Sequence, residues 1–265
     1  MDKTKETCGI RMKWLGCACF EIDLGGLTVV SDPWITPNKL NGVDWTAVEK
    51  CDLITLSHGH YDHTLDIPAL VKKFDPFLLC GENTALPIAR FAEINPMSVY
   101  PMNPGLELDF GAAKIKAVYG RHTFIQGTMN ERIKTAENHP VNHGDPTLIE
   151  LAVWGELEYR NYLFTLPNGK KLLLFGNRLN RIDRRSALRA EDPDVVAVQL
   201  TRRASTTAEE LAETCRGTRI RTVIAMHSDF PTDYREEVKL LGKEFEALCP
   251  GVRFILPEYN EWMEL

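Results

Sequence analysis

Hydrophobic and polar positions change their spacing along the chain, and each change predicts an element. CACFEIDL alternates in part, Gly25-Gly26 predicts a hairpin turn, and LTVVSDP is expected to be the returning strand. The apolar run in DLITLSH ends in polar residues, which predicts a buried strand that leads into a loop. The next elements are expected to be the helix DIPALVKKF, the strand FLLCGEN, the helix TALPIARFAE and the strand AAKIKAVYGRH.

The second half of the chain has a different pattern. Residues 123–147 are polar and irregular, which predicts a long insertion of a kind that often carries function. Two strands are then expected in ELEYRNYLFTLPNGKKLLLFGN, joined by a turn at Pro167-Asn168-Gly169. They are followed by a short helix, the strand DVVAVQLT, the helix TAEELAETCRG, the strand IRTVIAMH, the helix DYREEVKLLGKEFEALC and the strand VRFILP. Hairpins followed by alternating helices and strands predict stacked sheets with helices outside.

Composition narrows the class of protein. The 265 residues are 44% hydrophobic, enough for one large α/β domain or two small ones, and without a linker or repeat we expect a single domain over 1–265. The net charge of −6 disfavours a nucleic-acid partner. Seven scattered cysteines predict reduced, mostly buried thiols. With no signal sequence and no apolar run of the ~18 residues that a membrane span needs, we expect a cytoplasmic protein with no membrane partner.

Four side chains of metal-binding type follow the predicted strand DLITLSH. They are His58, His60, Asp62 and His63, in an H-x-H-x-D-H string. Imidazole and carboxylate are common zinc ligands, and imidazole also binds iron and nickel. His58 and His60 alternate in extended chain and point the same way, whereas Asp62 and His63 on the following turn reach a neighbouring position. The string predicts one or two divalent ions, zinc first, with manganese, iron or nickel as alternatives.

This motif resembles that of the metallo-β-lactamase superfamily, and the resemblance runs from Trp14 to about His227. The opening WLGCACFEIDLGGLTVVSDPW, which ends in Ser31-Asp32-Pro33-Trp34, is similar to the branch that includes L-ascorbate-6-phosphate lactonase. The resemblance implies an αββα sandwich: two mixed β-sheets packed face to face, with helices outside. It implies a metal-dependent hydrolase but no particular substrate, because lactonases, thiolesterases, phosphodiesterases and ribonucleases share the motif.

The resemblance also implies three further ligands at strand ends. His122 and His227 stand where the family has its third first-site histidine and its last histidine. Where the family has an aspartate that bridges both metals, this chain has Asn177. An amide is neutral and offers one good acceptor oxygen, so the second ion is expected to bind more weakly. Three outcomes stay open: a single ion, a weak terminal ligand at Asn177, or a site that no longer catalyses.

Other histidines and cysteines are weaker candidates. Cys17 stands where many relatives have a histidine, which removes a hydrogen-bonding group near the site. Cys17 and Cys19 form a C-x-C pair, which could bind a metal. No second Cys/His pair lies at zinc-finger spacing, so metal binding by this pair is not expected. His139 and His143 lie in the insertion and are expected to be exposed, or to contact substrate if they have a function.

Arginines near the predicted strand ends indicate the class of substrate. Those expected to bind substrate are Arg121, Arg178, Arg181 and Arg202. Guanidinium groups suit phosphate or carboxylate, so we expect a small anionic molecule, for example a sugar phosphate. The alternative is that these arginines are surface charges paired with Asp183, Glu191 and Asp192.

The expected chemistry is hydrolysis by a metal-bound hydroxide. A metal lowers the pKa of its bound water towards ~7, and Asp62, the candidate catalytic residue, orients this water and shuttles its proton. The substrate would be an ester, a lactone or a phosphoester. A ribonuclease or other phosphodiesterase is an alternative, although no basic face is evident. A catalytically impaired metal- or ligand-binding relative would explain Asn177. The sequence leaves the oligomeric state open, a homo-oligomer included.

Overall fold

The computed structural model describes residues 9–122, 127–142 and 144–265, and within these ranges its strands form two seven-stranded mixed sheets. The first sheet contains β1 (Arg11–Gly16), β2 (Cys19–Asp23), β3 (Thr28–Ser31), β4 (Leu53–Thr55), β5 (Phe77–Cys80), β6 (Val99–Pro101) and β14 (Trp262–Glu264). The second contains β7 (Glu107–Asp109), β8 (Lys114–Tyr119), β9 (Arg160–Thr165), β10 (Lys171–Phe175), β11 (Val195–Gln199), β12 (Thr222–Met226) and β13 (Arg253–Ile255).

Each sheet is antiparallel on one side and parallel on the other. The first has the order β14-β1-β2-β3-β4-β5-β6 and is parallel from β3 to β6. The second has the order β13-β12-β11-β10-β9-β8-β7 and is parallel from β13 to β10. The carboxyl ends of neighbouring parallel strands meet at one edge of a sheet, which is where open α/β sheets hold their ligands. The loops after β4, β10 and β12 therefore begin at such edges.

Eight α-helices lie within the described residues. They are α1 (Tyr61–Thr64), α2 (Ile67–Phe74), α3 (Glu82–Ala92), α4 (Met129–Asn138), α5 (Pro146–Leu157), α6 (Ile182–Glu191), α7 (Ala208–Cys215) and α8 (Arg235–Leu248). One core fills the space between the sheets, and Trp14 and Phe164 are fully buried in it. A second core joins the second sheet to α6, α7 and α8, and a third joins the first sheet to α2, α3 and α5.

Strand β12 shows how the sequence produces these layers. Ile224 and Met226 face the other sheet, whereas Val223 and Ala225 face the helices. Successive side chains of a strand point to opposite sides, so a strand that is apolar at every position must be covered on both faces. The predicted αββα sandwich is confirmed.

The prediction of an irregular insertion over residues 123–147 is wrong for its described part. Residues 129–138 form α4, whose first turn is a capping box between Thr128 and Glu131. Helix α5 was also missed: Asp145 caps it, Pro146 is its first residue, and it packs against α3 and α4. Both helices begin with sequence signals for a helix start, T-x-x-E in α4 and Asp-Pro in α5, although only α4 lies in a polar stretch.

The chain ends in a strand that was not expected. β14 pairs antiparallel with β1, so the last residues add an edge strand to the first sheet. The six cysteines within the described residues are buried and unpaired, as predicted. No helix in the described part of the chain is long and apolar enough to cross a membrane. The cytoplasmic location and the single domain over 1–265 stay predictions.

Candidate metal centre

The histidine string leaves β4 and enters α1 at the edge where the parallel strands of the first sheet end. His58 is buried, and its Nδ1 lies 2.9 Å from the Oγ of Ser57. Its Nε2 lies 3.1 Å from the Nδ1 of His60. Asp62 and His63 lie on α1 and are also buried. The string is thus divided into a pair on extended chain and a pair on a helical turn.

The first candidate metal position is formed by His58, His60 and His122, whose ligand nitrogens lie within 4.8 Å of one another. His122 comes from the loop after β8, so this group joins the two sheets. Burial, with smaller effects of neighbouring imidazoles, lowers the pKa of His58 well below its usual value, that of His60 to about 4 and that of His122 to about 3. All three are neutral at pH 7, which is the form of imidazole that binds a metal.

The carboxylate of Glu156, which the sequence did not indicate, lies next to the first donor group. The Oε1 of Glu156 is 3.5 Å from the Nε2 of His60, the ring nitrogen that does not face His58. Its Oε2 is 3.7 Å from the Nδ1 of His122. A carboxylate beside the outer nitrogen of a metal-binding histidine fixes the orientation of the ring. Glu156 is therefore placed to orient two of the three imidazoles.

Helix α5 brings Glu156 into place through two close contacts at glycine. A Cβ on Gly59 would lie 2.4 Å from the carbonyl oxygen of Leu151, and a Cβ on Gly155 would lie 2.5 Å from the Cδ2 of His60. Such distances leave no room for a side chain, so glycine at both positions lets the helix pack directly onto the histidine loop.

The second candidate position is formed by Cys17, Asp62, His63 and His227, whose ligand atoms also lie within 4.8 Å of one another. All four are buried, and the Oδ2 of Asp62 is 3.5 Å from the Nε2 of His63 and 3.4 Å from the Nε2 of His227. Burial alone would lower the pKa of His63, but the carboxylates of Asp62 and Asp32 outweigh it and raise this pKa to about 10. The surroundings therefore favour a positive charge at this position.

Asp32 lies outside the second donor group and contacts one of its members, His63. It lies directly after β3, in the Ser31-Asp32-Pro33-Trp34 turn, and its Oδ2 is 3.1 Å from the Nδ1 of His63. Its other oxygen accepts a hydrogen bond of 2.7 Å from the backbone N–H of Ser57. Asp32 thus connects the end of β3 to the histidine loop and orients His63.

The residues present fit two metal ions of the transition series. Three neutral imidazoles form one donor set, and two imidazoles, a carboxylate and a thiol form the other. Nitrogen, oxygen and sulfur donors in these combinations are typical of zinc sites, and imidazole also suits iron and nickel. The thiol of Cys17 was expected to remove a hydrogen-bonding group, and the structure instead places it among the donors. Cys19, by contrast, packs in the apolar core between the first sheet and its helices.

Asn177 follows β10 and lies beside Arg121, the residue before His122. Its Oδ1 accepts hydrogen bonds of 3.0 Å from the Nδ2 of Asn161 and 3.3 Å from the backbone N–H of Arg121. Its Nδ2 donates a bond of 2.6 Å to the carbonyl oxygen of Arg121. Both ends of the amide are therefore engaged with protein, and they hold the residue before His122 against β10.

A cavity of about 270 Å³ opens above both donor groups. Arg121, Arg178 and Arg184 line it, and none of the three forms an ion pair with a carboxylate in the described part of the chain. The Nε of Arg178 is buried and lacks a hydrogen-bond partner among the described residues. Burial, together with the nearby Arg202, lowers the pKa of Arg178. The cavity wall thus carries three guanidinium groups that form no ion pair with an acidic side chain of these ranges.

The other two predicted substrate arginines are not among the described residues that line this cavity. Arg181 is 59% exposed in its side chain and its Nε donates a bond of 3.0 Å to Asp183, the surface pairing that the alternative interpretation described. Arg202 is exposed and is not among the described residues that line the cavity. The structure therefore brings Arg121 and Arg178 to the site, together with Arg184.

Tyr159 packs against the first donor group. Its ring stacks on that of His58 at 4.8 Å between ring centroids, and a Cβ on Gly176 would lie 1.7 Å from the hydroxyl oxygen of Tyr159.

A second cavity, of about 320 Å³, lies on the other side of His60, between α4 and α5. His139 lines it and packs against Tyr61 at 4.7 Å between ring centroids. His143 lies outside the described residues.

Two seven-stranded sheets between helices, with a histidine-rich donor site at the strand ends, define a protein of the metallo-β-lactamase fold. Comparison with known proteins agrees: residues 11–227 match the family model described as the beta-lactamase superfamily domain, and the chain belongs to this family.

The most informative relatives cover nearly the whole chain. A protein of Solibacter usitatus named UPF0173 metal-dependent hydrolase is 26% identical over 252 residues, which are 91% of this chain and 98% of that protein. The solved structure of Igni18, a metallo hydrolase of Ignicoccus hospitalis, has a TM-score of 0.67 at 14% identity and covers 96% of this chain and 97% of its own. A possible metal-dependent hydrolase of Veillonella parvula has a TM-score of 0.67 at 16% identity, with coverage of 96% and 99%.

Proposed function

We propose that the chain is a metal-dependent hydrolase of a small anionic ester, lactone or phosphoester. The observation that carries the proposal is the joint position of two metal-donor groups under one cavity whose wall holds three arginines. The metal-dependent hydrolase of Solibacter usitatus supports the class of reaction. The size of the cavity, about 270 Å³, favours a small molecule over a polymer.

Different residues of the chain would take part in the reaction and in binding of the substrate. A divalent ion at these donors supplies Lewis acidity, polarising a carbonyl or phosphoryl oxygen and lowering the pKa of water. Burial would raise the pKa of Asp62, but His63 and His227 hold it well below its usual value, so this carboxylate is ionised at neutral pH. Asp62 would orient the attacking water and receive its proton. Arg178 and Arg184 would bind the anionic part of the substrate.

The substrate class is tested with a panel of lactones, phosphodiesters and thioesters, each with and without an added phosphate group. The metal-loaded protein is expected to prefer the phosphorylated member of each pair, because the cavity arginines have no competing carboxylate. Arg178→Gln should lower kcat/KM for phosphorylated substrates by roughly 10- to 100-fold, since a hydrogen bond to a charged group contributes about 1.5–3 kcal/mol.

Arg181→Gln is the matched control, because it makes the same change at an exposed arginine that already pairs with Asp183. It should leave the preference unchanged. Equal turnover of the uncharged analogues, or equal effects of the two substitutions, would refute an anionic substrate held by Arg178.

Asn177→Asp is expected to tighten binding of the second metal ion by roughly 10- to 100-fold, the range that changes in groups around a metal commonly produce. A carboxylate at this position would add a negative charge close to both donor groups. It would also face the carbonyl oxygen of Arg121, which now accepts a bond from the Asn177 amide. We therefore expect the metal-free variant to have a lower Tm than wild type, and metal to restore it.

Calorimetric metal titration and thermal melts of the two forms measure both effects. Asn168→Asp makes the same chemical change on the exposed turn between β9 and β10 and should alter neither. Identical affinities and stoichiometries in wild type and Asn177→Asp would show that residue 177 does not control the second position.

A further inference from the structure

We propose that the thiolate of Cys17 is a fourth ligand of the second metal ion, in a site formed by Cys17, Asp62, His63 and His227. This inference rests on the proposed function, because it requires that the second position holds a metal. It adds a sulfur ligand that the sequence offered only as a weak candidate. It also assigns this position to a metal that binds thiolate well, such as zinc, rather than to manganese.

The spacing of the donor atoms fits tetrahedral coordination. Metal–ligand bonds of about 2.0–2.3 Å place neighbouring ligand atoms of a tetrahedron about 3.3–3.8 Å apart. The Oδ2 of Asp62 is 3.5 Å from the Nε2 of His63 and 3.4 Å from the Nε2 of His227. The Sγ of Cys17 lies within 4.8 Å of the other three donor atoms, so a small inward movement of the thiol completes the set.

The backbone around Cys17 is held in an unusual conformation that fixes this position. Cys17 has φ 49, in the left-handed region that residues with a side chain seldom adopt. Its N–H donates to Asp229, at 2.9 Å to Oδ1, and its carbonyl oxygen accepts a bond of 2.7 Å from the N–H of His227. The Nε1 of Trp14 donates a second bond of 3.0 Å to the same oxygen. Cys17 is therefore tied directly to the segment that supplies another ligand.

Asp229, which accepts the bond from the N–H of Cys17, is itself held by two further hydrogen bonds. Its Oδ2 accepts bonds of 2.7 Å from the Nδ2 of Asn38 and 3.1 Å from the hydroxyl of Tyr259. Three segments that are distant in sequence thus converge on the turn at Cys17. Conformations that most residues avoid are retained where the surrounding structure enforces them, and they are frequent at functional sites.

A thiolate at this position also compensates for the neutral side chain of Asn177. Of the seven residues in the two donor groups only Asp62 is a carboxylate, and Asn177 beside them is neutral. A coordinated thiolate adds one negative charge to this pair of metal positions. Since both ends of the Asn177 amide are hydrogen-bonded to protein, Cys17 is the better placed of the two to be a ligand.

Titration of the metal-free protein with cobalt(II) tests the proposal, because thiolate coordination adds a charge-transfer absorption in the near ultraviolet that nitrogen and oxygen ligands do not give. Wild type should bind two ions per chain, and the thiolate absorption should develop with one of them. Cys17→Ser should abolish this absorption and weaken one ion by roughly 10- to 100-fold. Cys19→Ala removes a nearby buried thiol outside the donor group and should behave as wild type.

The wild-type spectrum decides the question even if Cys17→Ser does not fold. Two bound cobalt ions without thiolate absorption would overturn the role of Cys17, as would unchanged absorption in Cys17→Ser. A single ion bound without that absorption would also overturn it, but would leave a mononuclear hydrolase intact. Absence of any bound cobalt would overturn this inference together with the proposed function.

Discussion

Replacing His58 and His60 with alanine together is expected to reduce hydrolysis to the uncatalysed rate and to remove metal from the first position. The first donor group would keep only His122, and one imidazole does not hold an ion against water. An ion at this position would help to generate the nucleophile and stabilise the developing charge, so its loss is expected to remove the chemistry. The measurement combines turnover of the preferred substrate with metal titration of the purified variant.

His139→Ala is the control for loss of a nearby histidine, since His139 borders the adjoining cavity and belongs to neither donor group. It should keep its metal. Circular dichroism checks that the double variant is folded, which is expected because both substitutions lie on the loop after β4 rather than in a sheet. Full metal retention in the folded double variant would exclude these histidines as ligands.

Asp62→Asn is expected to lower kcat by roughly 10²- to 10⁴-fold, the usual contribution of a positioned proton-transfer group, and to weaken the second ion. The amide cannot accept a proton from water, and it removes the charge that holds His63 and His227 around the second position. The raised pKa of His63 depends on Asp62 more than on any other charged group. Steady-state kinetics at saturating metal separates loss of chemistry from loss of metal.

Asp183→Asn provides the control, because it removes an exposed carboxylate whose partner is Arg181. It should leave kcat within about twofold of wild type, as is usual for surface positions. If Asp62→Asn at saturating metal also retained wild-type kcat, Asp62 would have no part in the chemistry.

The elements that the sequence predicted well are those whose pattern matches their burial. Strands such as β12 are apolar at every position because both faces are covered, and that pattern is visible in TVIAM. Helix α4 has few buried side chains, so its pattern carries little signal, and only its capping residues reveal it. β14 is three residues long and is defined by its pairing with β1, a contact that no local pattern contains.

The residues of the site also differ in how far the sequence reveals them. His58, His60, Asp62 and His63 are neighbours in sequence, so their chemistry could be recognised together. Cys17 and Glu156 reach the site only through packing: one through a turn held by Asp229, the other through a helix that rests on glycines. Asn177 was recognised as a departure from a family pattern, but its hydrogen bonds to Arg121 depend on the distance between two loops. Such contacts become visible only when the fold is known.

Elemental analysis of wild-type protein purified without added metal tests most directly whether the two donor groups bind metal. We expect between one and two transition-metal ions per chain, with zinc the first candidate. Metal-free protein is expected to take up zinc to the same stoichiometry. Protein that contains no stoichiometric transition metal, and binds none when zinc, manganese, iron or nickel is supplied, would show that these groups do not form a metal site.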